Sequence, residues 1–263
     1  MNSDPYSVFN IKEKVALVVG ATGAFGRVAS KTYAGAGCKV VLTGGNKAEL
    51  KKISEAVIEI GCGSKIINIR PSTEKDCEKI VKETVRSFGR IDILLVASGI
   101  NKVSKVDEMS PDTFKNVMDV NVTQSWLMAR EVTKQMKLQG EGGKIVLVSS
   151  ARGLLGHPAG YSAYCASKSA IDGITKALGC ELGNSGITVN AIAPTVFRSP
   201  LTAWMFEDTP EADKVRAGFI TRVPKGRLGE PEDLAGPLLF LSSSASDFYT
   251  GHILYADGGY TAG

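Results

Sequence analysis

The chain has 263 residues, of which 43% are hydrophobic and 22% charged, and its formal net charge at pH 7 is +4. This composition is that of an ordinary globular protein and excludes a disordered chain, a collagen and a coiled coil. The positive charge is too small to point to nucleic acid, and no apolar run approaches the ~18 residues of a membrane span, so we expect neither partner.

Short apolar runs alternate with longer helix-compatible segments along the chain. Apolar runs without alternation indicate strands buried on both faces, and their alternation with helices indicates βαβ units. We therefore predict one α/β domain over residues 1–263, a doubly wound parallel sheet flanked by helices. The predicted strands are residues 15–19, 39–42, 64–69, 91–97, 144–148, 187–192 and 252–255. The predicted helices follow the first strand to about 36, then cover about 47–60, 73–88, 111–138 and 161–182.

The pattern becomes irregular over residues 195–227, which contain Trp204, Met205 and Phe206 among charged residues. We predict a lid here that closes over a substrate and excludes water. A packed pair of helices at the surface is the alternative.

Cysteine and histidine usage bears on the compartment and on metals. The chain has five cysteines, an odd number, and they are widely spaced and form no CxxC pair. This pattern gives no sign of a zinc site or of a redox motif. A reducing, cytoplasmic compartment fits this usage, and the N-terminus lacks the basic and apolar regions of a signal peptide. With only two histidines, we expect no metal centre.

A glycine-rich turn follows the first predicted strand, with Gly20, Gly23 and Gly26 in a GxxGxxG spacing. Between a strand and a helix, such glycines permit a tight turn, and the helix N-terminus can bind a pyrophosphate. An ordinary strand–helix turn is the alternative, because the motif alone is weak.

The end of the second strand bears on the choice of dinucleotide. It reads Thr43 and Gly44, without the carboxylate that binds the ribose of NAD, so we expect NADP, with NAD still open. Arg27 and Lys47 are candidates for the positive charge that a 2′-phosphate requires, unless both are solvated surface residues.

Tyr164 and Lys168 lie four residues apart in a predicted helix and so share one of its faces. A neighbouring ammonium favours the tyrosinate, so we expect Lys168 to lower the pKa of Tyr164 and make it a proton donor or acceptor for a carbonyl/alcohol pair. Ser150 ends the fifth strand, at the edge where open α/β sheets bind ligands. A serine hydrolase is disfavoured because the chain has no GxSxG elbow.

In combination, these motifs resemble the short-chain dehydrogenase/reductase family over essentially the whole chain. The resemblance implies a seven-stranded Rossmann-type sheet and hydride transfer between a nicotinamide cofactor and a secondary alcohol or ketone. It implies that Tyr164 is the catalytic acid/base and that Ser150 orients the substrate oxygen. It further implies that Lys168 binds the nicotinamide ribose and that Asn121 anchors a water.

The resemblance also implies cofactor contacts at the glycine turn, at the ends of several strands and on the catalytic helix. The sequence departs from the family pattern at Ala24, at Arg70, over residues 96–99 and at Thr195. At one of these departures, Arg70 would stack on adenine or meet a 2′-phosphate. The implied contacts are Gly20, Thr22, Gly23, Phe25, Gly26, Thr43, Gly44, Arg70, Ser98, Gly99, Tyr164, Lys168, Pro194 and Val196.

Asn101, Arg152, His157 and Arg198 are candidate substrate contacts, because they follow the fourth, fifth and sixth strands. An arginine near the reaction centre suits a carboxylate or other anion, unless it faces solvent. His157 is expected to be a hydrogen-bonding loop residue rather than a catalyst.

Residues 99–102 and 245–252 resemble gluconate 5-dehydrogenase-like members of the family, which implies a sugar acid or polyol as small-molecule substrate. A 3-oxoacyl-carrier-protein reductase is the close alternative. A dinucleotide-binding protein without catalysis is a further alternative, motivated by the altered adenosine-side motifs. Because related enzymes are usually tetramers, we expect a homotetramer with contacts through the helices near 111–138 and 161–182.

Overall fold

Seven strands form one sheet at the centre of the protein, whose computed structural model describes residues 4–199 and 202–263. The strands are β1 (Val15–Val19), β2 (Lys39–Thr43), β3 (Ser64–Ile67), β4 (Ile93–Val96), β5 (Gly143–Val148), β6 (Ile187–Pro194) and β7 (Ile253–Ala256). They lie in the order β3-β2-β1-β4-β5-β6-β7, and all neighbours pair in parallel. The predicted seven-stranded parallel α/β fold is thereby confirmed.

The central strand β1 shows why apolar runs form this sheet. All five of its residues are buried, and they alternate between two core layers. Val15, Leu17 and Val19 belong to one layer, and Ala16 and Val18 belong to the other. A strand covered on both faces has no side towards water, so its sequence is continuously apolar.

Helices cover both faces of the sheet. They are α1 (Ala24–Gly35), α2 (Lys47–Glu59), α3 (Glu74–Phe88), α4 (Pro111–Met118), α5 (Gln124–Gln139), α6 (Ser162–Leu182), α7 (Pro210–Ile220) and α8 (Ala235–Ser242). Side chains of α1, α2 and α8 join one core layer, and those of α3, α5 and α6 join the other. Among the described residues, no helix combines the length and the apolarity needed to cross a membrane.

The helical pattern predicted over residues 111–138 is interrupted in the structure. A π-helical turn, Asp119–Thr123, separates α4 from α5 and contains the buried Asn121. Such a turn inserts extra backbone into a helix and is frequent at functional sites. The predicted helical segment is confirmed over 111–138, and only its local change to π-helical hydrogen bonding was not foreseen, because the side-chain pattern continues through the turn.

Two short helical elements occupy the part of the predicted lid that the structure describes. They are a 3-10 turn, Ala203–Phe206, and α7, and Nη1 of Arg216 donates a hydrogen bond to the main-chain oxygen of Met205 (2.7 Å). Phe197 and Gly229 form a parallel bridge at the base of the segment. Pro200 and Leu201 lie outside the described residues. The closing motion stays a prediction.

Candidate active site

The glycine turn between β1 and α1 packs tightly against the loop that follows β4. Gly20 has a φ of +78°, which residues with a Cβ rarely adopt. A Cβ atom there would lie 2.6 Å from the main-chain nitrogen of Ser98, and one on Gly26 would overlap the carbonyl oxygen of Gly20. Both positions therefore require glycine.

The N-terminus of α1 offers uncapped main-chain N–H groups. Gly23 is the N-cap, it makes no side-chain capping bond, and the first turn holds no acidic residue. Such an end carries positive potential and suits an anion. Near the turn, the hydroxyl of Ser98 is buried and has no hydrogen-bond partner within the described ranges. The free donors and the close-packed glycines fit the pyrophosphate of a dinucleotide.

Phe25 belongs to the predicted cofactor contacts, but its ring is engaged elsewhere. It packs edge-on against the ring of Phe197, with the centroids 5.6 Å apart. A cofactor contact by Phe25 would therefore come from its main-chain N–H. On the other side of the cleft β6 ends at Pro194, and the carbonyl oxygen of Val196 accepts a hydrogen bond from the N–H of Gly229 (3.0 Å).

Arg70 follows β3 in the chain, and its side chain lies beside the end of β2. The ribose of the adenosine half is recognised at this strand end in such folds. A Cβ atom on Gly45 would come within 2.8 Å of Cζ and Nη2 of Arg70. The exposed guanidinium forms no ion pair and donates no hydrogen bond within the described part of the chain. It is thus a free positive charge beside a strand end that lacks a carboxylate, which fits a 2′-phosphate.

Hydrogen bonds tie the ends of β2 and β3 together next to Arg70. Oγ1 of Thr43 donates to the main-chain oxygen of Ile69 (2.5 Å), and Nδ2 of Asn68 donates to that of Gly44 (2.8 Å). Gly45 and Asn68 were not singled out in the sequence. Gly45 directly follows the predicted contact Gly44, which was an available signal. Asn68 belongs to no sequence motif.

Arg27, which its sequence position makes a candidate for binding the 2′-phosphate, is already engaged by other groups. Nη2 of Arg27 pairs with Oε2 of Glu49 at 2.6 Å, and its Nε donates to the main-chain oxygen of Thr22 at 3.0 Å. Its charge is therefore already matched by a carboxylate. Lys47, exposed at the start of α2, and Arg70, beside Gly45, are the positive side chains considered for the 2′-phosphate that form no ion pair within the described residues.

Ser150 and Tyr164 meet beyond the C-terminal end of β5. The two side chains lie close enough for Ser150 to lower the pKa of the Tyr164 phenol, and Oγ of Ser150 accepts the main-chain N–H of Arg152 at 3.1 Å. Burial raises the pKa of Tyr164 above its ordinary value, and the neighbouring Ser150 only partly opposes this shift. The expected lowering of the pKa by Lys168 is thus not found: desolvation of the phenolate is the largest effect, and Arg152, not Lys168, is the cation that lowers the pKa.

Lys168 is buried one helical turn after Tyr164, with 4% of its surface exposed. Its Nζ lies 5.6 Å from the centroid of the Tyr164 ring and donates to the main-chain oxygen of Val148 at 2.8 Å. Burial lowers the pKa of Lys168 to about 8, against the opposing charge of Asp172. The ammonium can therefore exchange its proton near neutral pH.

Asn121 fixes the loop that follows β4 beside Lys168. Its Oδ1 accepts the N–H of Ile100 (2.7 Å), and its Nδ2 donates to the oxygen of Ile100 (2.9 Å) and to Oγ of Ser167 (2.9 Å). A Cβ atom on Gly99 would lie 3.2 Å from this Oδ1 and 3.7 Å from Nζ of Lys168. Both N–H donors of the amide are engaged, and its oxygen accepts one bond of the two that it can accept. The role of Asn121 in anchoring a water stays a prediction.

The four candidate substrate residues differ in how free they are. Oδ1 of Asn101 is buried without a partner among the described residues. Arg152 forms no ion pair there and donates only to neutral oxygens. Arg198 pairs with Glu230 at 3.1 Å, so its charge is matched.

His157 is a hydrogen-bonding loop residue, as the sequence predicts. Its Nδ1 accepts the main-chain N–H of Ala159 at 3.2 Å, and its ring lies 4.4 Å from that of Tyr161. Burial lowers its pKa below the ordinary value, and the charges of Arg152 and Arg222 lower it further. It lines a cavity of about 330 Å³ beside the catalytic helix.

Three residues near the site were missed by sequence reasoning. Tyr260 lies beside Arg152, and Arg222 lies against the same Tyr260 ring. Both are far from Arg152 in sequence, so no local pattern could reveal them. Asp172 repeats the four-residue spacing of Tyr164 and Lys168 along α6, which was an available signal. Its Oδ1 is buried without a described partner, and burial raises its pKa.

The fold and this cleft define a dinucleotide-binding oxidoreductase of the short-chain class. The family model described as enoyl-(acyl carrier protein) reductase matches residues 20–261. The chain belongs to the short-chain dehydrogenase/reductase family, whose members are NAD(P)-dependent oxidoreductases.

Individual relatives match over nearly the whole chain. An uncharacterized oxidoreductase of Mycobacterium tuberculosis is 46% identical over 257 residues, which cover 97% of this chain and 93% of that protein. The 2-dehydro-3-deoxy-D-gluconate 5-dehydrogenase of Dickeya dadantii is 34% identical over 258 residues, covering 97% and 98%. The solved structure of a gluconate 5-dehydrogenase from Burkholderia cenocepacia, in complex with NADP and tartrate, superposes with a TM-score of 0.92 at 26% identity, covering 99% and 100%.

Proposed function

We propose that the protein transfers a hydride between NADP(H) and a secondary alcohol or ketone, with Ser150, Tyr164 and Lys168 at the reacting centre. The observation that carries this proposal is the meeting of these three side chains beyond the end of β5. Ser150 lies close enough to Tyr164 to lower the pKa of its phenol, and Nζ of Lys168 lies 5.6 Å from the centroid of the Tyr164 ring. A phenol, a hydroxyl and an ammonium at one strand end suit proton transfer to a carbonyl oxygen.

Each side chain has a separable task in this proposal. The nicotinamide ring, when bound, supplies or accepts the hydride. Tyr164 holds the proton that passes to the substrate oxygen, and its raised pKa keeps that proton in place before reaction. Ser150 orients the same oxygen from a hydroxyl fixed by the N–H of Arg152. Lys168, with a pKa of about 8, can return a proton to Tyr164 after the transfer.

The preference for NADP is supported by the adenosine side of the cleft. The α1 N-terminus and the glycine turn would hold the pyrophosphate, and Arg70 beside Gly45 would hold the 2′-phosphate. The Burkholderia relative was solved with NADP, which agrees with this assignment. NAD remains the alternative, and the selectivity is measured directly by titrating the protein with NADPH and NADH.

A sugar acid or polyol is the substrate class that we propose. The Dickeya and Burkholderia relatives support it, since both are named as dehydrogenases of gluconate-type compounds. The description of the matching family model favours the second candidate, an acyl thioester of a carrier protein. Comparing turnover of hexonates, hexitols and 3-oxoacyl thioesters separates the two.

Assembly and location extend the proposal. Phe114 on α4 and Trp126 on α5 are large apolar side chains that are partly exposed in the single chain, at 39% and 42%. They support a homotetramer through these helices, which light scattering would test. The cysteine usage supports a reducing compartment such as the cytoplasm.

The proposed mechanism is tested by replacing Tyr164 with Phe, with Tyr161→Phe as the matched control on the neighbouring ring. We expect Y164F to bind NADPH like the wild type but to lose turnover, while Y161F retains it. Retained turnover in Y164F would exclude the mechanism. NADPH binding without turnover of any alcohol or ketone by the wild type would favour a non-catalytic dinucleotide-binding protein.

A further inference from the structure

The arginines of the protein divide into two groups by their partners. Seven of the ten pair with a carboxylate: Arg27, Arg86, Arg90, Arg130, Arg198, Arg216 and Arg227. Within residues 4–199 and 202–263, Arg70, Arg152 and Arg222 have no such partner. The proposed cofactor contacts account for Arg70, but nothing in them accounts for the other two.

Arg152 is held rigidly beside the reacting centre. It lies two residues after Ser150, whose Oγ accepts its main-chain N–H. Its Nη1 donates to the oxygen of Gly156 and its Nη2 to the hydroxyl of Tyr260, both at 2.8 Å. Because a guanidinium has five N–H groups, the side chain is oriented but still has donors to offer.

Arg222 reaches the same place from the predicted lid. It follows α7, and its guanidinium lies 4.6 Å from the centroid of the Tyr260 ring, while that of Arg152 lies 5.4 Å from it. The ring of Phe219 stacks on Tyr260 with the centroids 5.0 Å apart. Tyr260 is only 1% exposed, so its ring is held in place by packing, and both arginines contact it.

Two unmatched positive charges around one ring favour an anion between them. Like charges repel, and the half-buried Arg152 has lost part of its hydration without gaining a counter-charge. Both arginines also lower the pKa of His157, the residue after Gly156, so both positive charges act on the same loop. An oxyanion bound there would relieve the repulsion and take up the free N–H donors.

We propose that Arg152 and Arg222, arranged around Tyr260, form a subsite for an anionic group of the substrate, a carboxylate or a phosphate. The substrate is then an acid that carries its secondary alcohol or ketone within reach of Tyr164. This inference rests on the proposed function.

The test uses three ligands that share a six-carbon skeleton and differ in charge. D-glucitol is neutral, D-gluconate carries a carboxylate, and D-glucitol 6-phosphate carries a phosphate. Binding of each to the NADP-saturated protein is measured by calorimetry, with four- and five-carbon acids and their polyols as a second series. We expect at least one acid to bind about tenfold or more tightly than its polyol, and the better anion identifies the group.

Variants then assign the binding to the two arginines. Arg152→Gln and Arg222→Gln should each weaken the anion about tenfold or more and leave the polyol unchanged. Arg227→Gln, which removes a charge already paired with Asp233, should change neither. Equal binding of acid and polyol throughout both series would overturn the subsite, as would full anion affinity in both variants.

The two levels of the proposal fail in different ways. If the wild type does not bind NADPH, or if Y164F turns over normally, the proposed function fails whatever the anions do. If NADPH binds and Y164F is inactive but no acid is preferred to its polyol, only the anion subsite fails. A second readout is the proton resonance of His157, one of two histidines in the chain. Neutralising the arginines should raise its pKa, with His252 as the internal reference.

Discussion

The guanidinium of Arg70 lies over Gly45, within 2.8 Å of where a Cβ atom on that glycine would stand. The position of the cation therefore depends on the absence of a side chain at residue 45. Thr43 and Asn68 tie the flanking strand ends together, which fixes the main chain that carries Gly45 and Arg70. The proposed selectivity for a 2′-phosphate is thus a joint property of Arg70 and Gly45.

Replacing Arg70 with Gln should weaken NADPH far more than NADH. A hydrogen bond to a charged group contributes about 1.5–3 kcal/mol, so we expect a loss of about 10- to 100-fold for NADPH. NADH lacks the 2′-phosphate and should bind as before. Fluorescence titration with both cofactors measures this, and Arg27→Gln is the control because Glu49 already pairs with Arg27. Equal losses for the two cofactors would mean that Arg70 does not recognise the phosphate.

The strands could be predicted because strands buried on both faces consist of consecutive apolar residues. β1 and β4 are covered on both faces, and every residue in them is buried and apolar. α8 was missed because it is short and almost wholly apolar, Ala235–Ser242, so it shows no polar face. The π-helical turn at Asp119–Thr123 was missed because a change in backbone hydrogen bonding leaves the side-chain pattern unchanged.

The site was predictable where its residues are close in sequence. Tyr164 and Lys168 share a helix face, and the glycine turn follows a buried strand, so local rules were sufficient. Arg152, Arg222 and Tyr260 are separated by tens of residues and meet only through the fold. The pKa of Tyr164 was predicted in the wrong direction, because the sequence shows the neighbouring ammonium but not the depth of burial.

Lys168 should make the stability of the protein depend on pH. Burial lowers its pKa from 10.5 to about 8, so between these values the unfolded chain binds more protons than the folded one. The free energy of unfolding should therefore rise as the pH rises from 8 to 10.5. Below pH 8 the folded protein carries the whole cost of a buried ammonium, roughly 3 kcal/mol for such a shift.

Replacing Lys168 with Met should remove this dependence. At pH 7 we expect the variant to be more stable than the wild type. This gain is reduced by about 1 kcal/mol, because the variant lacks the hydrogen bond to the main-chain oxygen of Val148. Its advantage should shrink from pH 8 upwards. Urea unfolding between pH 7 and 10 measures the two curves, with Lys176→Met as the control at an exposed position of α6. Parallel curves for wild type and Lys168→Met would contradict the pKa assignment.

Asn121 should be required for stability as well as for the site. Replacing it with Ala removes both partners of the Ile100 main chain, and each buried polar group left unpaired costs about 1–3 kcal/mol. We expect the free energy of unfolding to fall by at least about 2 kcal/mol, and NADPH binding to weaken because the loop after β4 is released. Thermal and urea unfolding measure the first effect. Asn116→Ala, at an exposed position on α4, should change neither quantity.

Comparing alanine substitutions at Gly20 and Gly61 distinguishes the stability cost of backbone strain from that of steric overlap. Both have a positive φ, +78° and +94°, so alanine at either position costs about 1–3 kcal/mol in strain. Only at Gly20 would the new Cβ atom meet other atoms, the main chain of Ser98 at 2.6 Å, whereas nothing lies within 4 Å at Gly61.

We therefore expect Gly20→Ala to lose more stability than Gly61→Ala, by about 1 kcal/mol or more, because overpacking adds to the strain. It should also weaken NADPH, since the turn and the loop bearing Ser98 must move apart, while Gly61→Ala leaves cofactor binding intact. Urea unfolding and NADPH fluorescence measure the two effects. Equal losses of stability in the two variants would show that the close approach of Gly20 to Ser98 contributes nothing beyond the backbone conformation.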